Sequence, residues 1–221
     1  MEKRPYPKVK EFIKYIYIVC LLLLILLTIK DANAFLSPNR KYSNRDEWTG
    51  NLNFFIGQKS LDKDDWAPVE KQSEFGLELD FKRYHWPLSI AVELLYSIDK
   101  GSFLVDPNTG SMYVEGKTYE LNFGVRKRFP LYKGITPFIG GGITNIWAKS
   151  KGDLRDIIVS SSDSNLGYWV SGGIYWTLQD MLNIGVEIRY SYAESDIFKN
   201  SDGSMSNAGG LHLGGLIGYH W

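Results

Sequence analysis

Leu88, Ile90, Val92, Leu94, Tyr96 and Ile98 take every second position of one stretch, and Ser89, Ala91, Glu93, Leu95 and Ser97 fill the gaps. Successive side chains of a strand point to opposite faces, so this period of two predicts a β-strand with one apolar and one mainly polar face. Phe75, Leu77, Leu79 and Phe81 alternate in the same way with Gly76, Glu78, Asp80 and Lys82, and Tyr119, Leu121, Phe123 and Val125 with Glu120, Asn122, Gly124 and Arg126. The pattern returns in Leu166, Tyr168, Val170, Ile174 and Trp176 against Gly167, Trp169, Ser171, Gly173 and Tyr175. It returns again in Leu182, Ile184, Val186, Ile188, Tyr190 and Tyr192 against Asn183, Gly185, Glu187, Arg189 and Ser191.

Three further stretches are less regular. Leu52, Phe54 and Ile56 alternate with Asn51, Asn53 and Phe55, which puts one aromatic on the polar side of a strand from about 49 to 59. Residues 135 to 147 are Gly-rich; Pro137, Ile139 and Ile143 are assigned outward, and Phe138, Gly140, Gly142 and Thr144 inward. From 211 to 221, Leu211, Leu213, Ile217, Tyr219 and Trp221 share one parity, and His212, Gly214, Leu216, Gly218 and His220 the other. The expectation is eight strands.

The connections between them alternate. Those around Tyr84-His85-Trp86-Pro87, Phe129 to Lys133 and Leu178-Gln179-Asp180 are short, whereas 60–72, 99–117, 148–165 and 194–207 are long. A membrane barrel with tight turns on one side and long loops on the other produces this asymmetry. With an even strand number, the last strand can close antiparallel on the first.

Charge decides which face is inside. Glu78, Asp80, Lys82, Glu93, Glu120, Arg126, Glu187 and Arg189 share the polar parity, and the opposite parity is almost free of charge. A soluble ligand-binding barrel would place charge outside and an apolar cup within. Here the apolar parity also carries Tyr96, Tyr119, Trp147, Tyr168, Tyr190 and Tyr192 toward the loop end, and Trp86, Phe129, Tyr132, Trp176, Tyr219 and Trp221 toward the turn end. Two aromatic belts flanking Leu, Ile and Val match the two interfaces of a bilayer.

The first residues read separately. Basic residues from Lys3 to Lys14 precede an apolar run from Ile16 to Ile29, followed by Ala32-Asn33-Ala34. This is the layout of a secretory signal peptide over 1–34, cleaved after Ala34. Residues 35–48 form a polar periplasmic lead-in and 49–221 the barrel. Six Lys or Arg and three Asp or Glu leave with the signal, from 25 of each, so the remainder has 19 basic and 22 acidic residues, net −3. Weak acidity argues against a nucleic-acid partner. Cys20 lies inside the apolar run, so the mature chain offers no thiol or disulfide chemistry.

Taken together, the chain from about Trp48 to Trp221 resembles the small eight-stranded outer-membrane barrels, such as the transmembrane domain of outer membrane protein A and outer membrane protein X. Ile217-x-Tyr219-x-Trp221 resembles the terminal signature that such barrels present to their assembly machinery. The resemblance implies an all-β, eight-stranded, antiparallel up-and-down transmembrane barrel in the outer membrane of a Gram-negative cell. It also implies outer-membrane lipids and the barrel-assembly machinery as partners, and a monomer.

Candidate chemistry is sparse. His85 falls in a turn, and His212 and His220 face inward without zinc-like spacing, so hydrogen bonding in a polar lumen is the expected role. Some eight-stranded outer-membrane barrels deacylate lipid A with a His-x-Ser-Asn-Ala motif. Ser206-Asn207-Ala208 matches its second half, but Ser204 stands where the base belongs and no acid follows. Asp62, Asp64 and Asp65 cluster in the first long link without the glycine and glutamate of a calcium loop. Asp106-Pro107-Asn108-Thr109-Gly110 is turn chemistry. No catalytic residue, metal or cofactor is expected. Side chains can just fill an eight-stranded lumen, so paired inward charges predict a plugged barrel. The expected role is structural or surface-interacting through four long external loops, with a lipid-A-modifying enzyme or a narrow channel as alternatives.

Overall fold

In the computed structural model, residues 48–106, 110–131, 134–154, 157–179, 181–195 and 206–221 are described. The expected signal peptide and nearly all of the lead-in lie outside this set, as do Pro107 to Thr109 and Tyr132. The strands are β1 (Trp48–Ser60), β2 (Lys71–Arg83), β3 (Ser89–Asp106), β4 (Gly110–Arg128), β5 (Ile135–Leu154), β6 (Ile157–Leu178), β7 (Leu182–Tyr192), β8 (Glu194–Ser195), β9 (Ser206–Asn207) and β10 (Gly210–His220). One short helix, α1 (Lys63–Trp66), lies between β1 and β2.

β1 to β7 and β10 close into a barrel in which every neighbour is antiparallel, and the seam is β1 against β10, from Asn51↔His220 to Ser60↔Leu211. The backbone of Trp221 extends the seam by exchanging hydrogen bonds with Gly50, 3.0 and 3.1 Å. Closure leaves no strand edge facing lipid, where an unpaired N–H or C=O would cost several kcal/mol. Phe123, Ile139, Ile143, Val170, Val186, Ile188, Leu213 and Ile217 are exposed on the outer wall. Rings of the aromatic bands pack in pairs: the Tyr96–Tyr119 and Tyr168–Tyr192 rings lie 4.9 and 5.5 Å apart at one end, and Trp48–Trp86 and Tyr219–Trp221 lie 5.5 and 6.3 Å apart at the other.

Inward aromatics are accommodated by facing glycines. A Cβ on Gly214 would come within 2.5 Å of the Phe55 ring, and one on Gly173 within 2.5 Å of the Phe138 ring. The aromatic on the polar side of β1 is therefore a packed lumen residue: Phe55 clusters with Leu95, Phe138, Tyr175 and Leu216.

The long links differ from expectation. The stretches 99–117 and 148–165 are largely paired strand, since β3 and β4 pair from Ser89↔Arg126 to Asp106↔Gly110, and β5 and β6 from Ile135↔Trp176 to Leu154↔Ile157. The apolar period reports only the lipid-facing part of a strand, whereas the hydrogen-bond ladder continues into water with polar side chains. The link 60–72 folds back over the barrel mouth. Asp62 caps α1 by accepting from the Asp64 amide at 3.0 Å, which explains part of the acidic cluster. Trp66 and Val69 are fully buried, packed with Leu61, Ile146, Ala148, Ala193 and Ala208, and Trp66 Nε1 donates to Asn207 O at 2.9 Å. Beyond Tyr192 the chain forms a small β8–β9 pair. Four open loops are thus replaced by two tall hairpins, one inward lid and one small two-stranded cap.

Val186 sits near the middle of β7 on the outer wall, 56% exposed. Val186→Arg is expected to lower unfolding stability in lipid vesicles by about 2–4 kcal/mol. Ser162→Arg, on the exposed upper part of β6, is expected to stay within about 0.5 kcal/mol of wild type. Urea titration of both variants checks the assignment of the lipid-facing wall.

Candidate functional site: the sealed lumen

The inward parity of all eight barrel strands converges on one polar interior, arranged in tiers. Toward the short turns, Asn51 Nδ2 donates to Asp80 Oδ2 and Asn183 Nδ2 to Asn51 Oδ1, both at 2.8 Å, and His220 Nδ1 lies 2.8 Å from the same Asn51 oxygen. Arg128 Nε approaches Asp80 at 3.4 Å.

The middle tier holds two guanidiniums between three carboxylates. Arg126 Nη2 lies 3.2 Å from Glu78, 2.8 Å from Glu93 and 3.3 Å from Glu187. Arg189 Nη2 lies 2.9, 2.8 and 2.5 Å from the same three. Arg126 also donates to the Tyr175 hydroxyl. The Arg126 guanidinium stacks 4.4 Å from the Phe138 ring centre, and that of Arg189 5.4 Å from Trp169. All five charged groups are essentially inaccessible to solvent. A buried charge keeps its place only when partners replace water, and the planar, multidentate guanidinium suits that task.

The upper tier centres on Lys59. Its Nζ donates to Glu120 Oε1 (2.6 Å), Thr118 Oγ1 (3.0 Å) and Ala208 O (2.8 Å), which uses all three ammonium protons. Beside it, His212 Nδ1 lies 2.8 Å from Glu74 Oε2, and Nε2 lies 2.9 Å from Ser191 Oγ.

Of the inward charges expected from sequence, Glu78, Glu93, Arg126, Glu187 and Arg189 meet in the middle tier. Asp80 lies one tier toward the turns and Glu120 one tier toward the loops. Lys82, at the last inward position of β2, lies at the rim, where its Nζ donates to Trp86 O at 3.2 Å. Lys59 and Glu74 were missed. Both continue the inward parity of β1 and β2 just beyond the apolar alternation, Lys59 at the end of the stretch expected as strand and Glu74 one residue before Phe75. The proposed assembly residues Ile217 and Tyr219 face outward, and Trp221 stacks beside Tyr219.

The Glu74–His212–Ser191 arrangement has the connectivity of an acid–base–nucleophile relay. Its surroundings oppose that chemistry. Ser191 Oγ lies 2.9 Å from His212 Nε2 and 3.3 Å from Glu120 Oε1, so the hydroxyl is shared between the imidazole and a second carboxylate. That carboxylate would repel an oxyanion formed on a substrate at Ser191, and all three residues are sealed from solvent. Ser206, the other candidate nucleophile, donates to Ser195 O at 3.1 Å within the β8–β9 cap. Two sets of ligand-type side chains lie close enough to hold a metal, Glu74–Glu120–His212 and Glu78–Glu93–Glu187. Lys59 in the first, and Arg126 and Arg189 in the second, already occupy carboxylate oxygens of these sets.

A family model described as "Outer membrane protein beta-barrel domain" matches residues 21–219. Among curated proteins, none matches the sequence closely enough to count as a relative. Among solved structures, the attachment invasion locus protein Ail of Yersinia pestis, in complex with a heparin analogue, is 13% identical with TM-score 0.51, over 79% of this chain and 99% of that one. The N-terminal β-barrel domain of Pseudomonas aeruginosa OprF is 11% identical with TM-score 0.46, over 80% of this chain and 99% of that one. At these identities the likeness to Ail is one of fold.

Removing one partner of a buried charge cluster strands the others, so Arg126→Ala or Arg189→Ala is expected to cost about 3–5 kcal/mol. Lys82→Ala, at the rim, is expected to cost no more than about 0.5 kcal/mol. Equilibrium unfolding of the three variants in the same vesicles separates the network from the rim.

Proposed function

The chain belongs to the outer membrane protein beta-barrel domain family, and from that premise we propose that it acts without catalysis, as a surface-interaction protein of the bacterial outer membrane. Its working parts are the two tall hairpins rather than the lumen. The observation that carries this reading is the state of the interior: Trp66, Lys59, Glu120, Arg126, Arg189 and Trp169 are all fully buried, and their hydrogen bonds and stacking span the barrel from wall to wall. A solute could pass only if buried ion pairs were broken, which weighs against the channel alternative. The burial of Ser191 and His212, the Glu120 carboxylate beside Ser191 and the carbonyl partner of Ser206 weigh against the lipid-A-modifying alternative.

In this reading residues 1–34 are an export signal cleaved after Ala34, and 35–48 lead from the periplasm into the barrel. The short turns face the periplasm and the β3–β4 and β5–β6 hairpins face outside. The barrel works as a monomer, and Ile217, Tyr219 and Trp221 are what the assembly machinery reads. Lipid covers the outer wall, and the hairpins, with Leu104 and Tyr113 exposed, present side chains beyond it.

Cells making the full chain are compared with cells in which residues 102–113 are replaced by a two-residue turn, for adhesion to immobilised matrix proteins and glycans. Loss of adhesion with an intact heat-dependent gel shift is the expected outcome. Step conductance of the wild-type protein in planar bilayers, or fatty-acid release from lipopolysaccharide abolished by Ser191→Ala, would overturn the proposal.

A further inference from the structure

The outward face of β3, β4 and β5 changes character in one step. Tyr96, Tyr119 and Trp147 stand in one row across the three strands, because Tyr96 pairs with Tyr119 and Tyr119 with Trp147. Two residues further toward the hairpin tips, the same face shows Ile98, Lys117 and Lys149; two further still, it shows Lys100, Glu115 and Lys151. Each step along a strand pair is about 7 Å. An aromatic belt lies at headgroup level, so these lysines lie at and just beyond the depth of lipid phosphates.

The four ammonium groups are not consumed by their described neighbours. Glu115 sits among them: Lys117 Nζ lies 2.5 Å from it and Lys100 Nζ 3.3 Å. The hydrogen bond from Lys117 holds the Glu115 carboxyl below the usual range, so it stays ionised and shares one negative charge between two lysines. Lys149 leans over the Tyr119 ring at 5.8 Å, with its stem along the aromatic belt and its charge above it. With Asp153 one row higher, four lysines face two carboxylates among the described residues, net +2, around a shallow cleft of about 210 Å³ lined by Lys100, Tyr113, Glu115, Lys151 and Asp153. The neighbouring wall is different. Above Tyr168, the outward positions of β6 are Leu166, Ser164, Ser162 and Ser160, with no cation.

We propose that this face, built by Lys100, Lys117, Lys149 and Lys151 above Tyr96, Tyr119 and Trp147, binds the phosphates of a phosphorylated glycolipid in the outer leaflet. The lysines project sideways from the wall, continuous with the lipid-facing apolar band, and that direction favours a laterally packed lipid over a partner arriving at the hairpin tips. The lysine cluster supplies charge, and Tyr113 and the Ser160–Ser162 stretch supply hydroxyl donors for a sugar headgroup. The site rests on the outward orientation of the hairpins proposed above.

The test uses protein extracted from outer-membrane fractions and placed in phosphatidylcholine nanodiscs doped with bisphosphorylated or dephosphorylated lipid A, with retained glycolipid read by native mass spectrometry. The wild-type protein is expected to retain the bisphosphorylated form preferentially. The variant K100Q/K117Q/K149Q/K151Q, checked for its heat-dependent gel shift, is expected to lose that preference by about tenfold or more. Equal retention by variant and wild type, or retention indifferent to phosphate, would overturn the site. So would loss of heparin binding in the variant with lipid retention unchanged, since it would assign the lysines to a soluble polyanion. Orientation is read separately by labelling Leu104→Cys, in a Cys20→Ser background, with a membrane-impermeant maleimide on intact cells. Labelling is expected; its absence would refute the outward hairpins and remove the outer leaflet as the lipid's source, whatever the nanodiscs show.

Discussion

Backbone hydrogen bonding in a medium without water is the constraint on which this structure depends. Each strand of the wall must be paired on both sides, and a sheet satisfies that only by closing. The β1–β10 seam, continued by the Gly50–Trp221 exchange, performs the closure and joins segments separated by most of the chain. Once it is made, side-chain parity acquires a fixed meaning: one parity faces lipid, and the other faces a space too narrow for bulk water.

That narrow space explains the interior chemistry. Carboxylates and guanidiniums placed there must find partners in one another, and two arginines bridge Glu78, Glu93 and Glu187 from opposite walls, flanked by Phe138 and Trp169. Glycine supplies the room, since the inward aromatics fit only where the facing strand has no Cβ. Above them Lys59 ties β1 to β4 and to the backbone at Ala208, and the lid carrying Trp66 seals the mouth with apolar contacts. The result is a crossbraced plug. A relay such as Glu74–His212–Ser191 can therefore have catalytic connectivity and serve as a brace, because neighbouring charge and access decide its chemistry.

With the interior committed to bracing, the proposed recognition role falls to the exterior above the membrane. The β3–β4 and β5–β6 hairpins keep their ladders beyond the apolar band, so they hold side chains at fixed heights over the bilayer in a way open loops could not. The regular lysine rows above Tyr119 and Trp147 follow from that continued register.

The sequence by itself determined the strand count, the lipid-facing parity, the aromatic belts and the inward position of most of the charges, because a period of two is a local property of residues 75 to 98 or 182 to 192 as written. Tertiary structure alone decided how far each ladder extends past its apolar positions, that residues 61–70 fold inward as a lid, and that Lys59, Glu74 and His212 meet while Lys82 stays at the rim. Those outcomes depend on register between strands distant in the chain and on where the barrel wall ends, and neither is encoded in the alternation of any one strand.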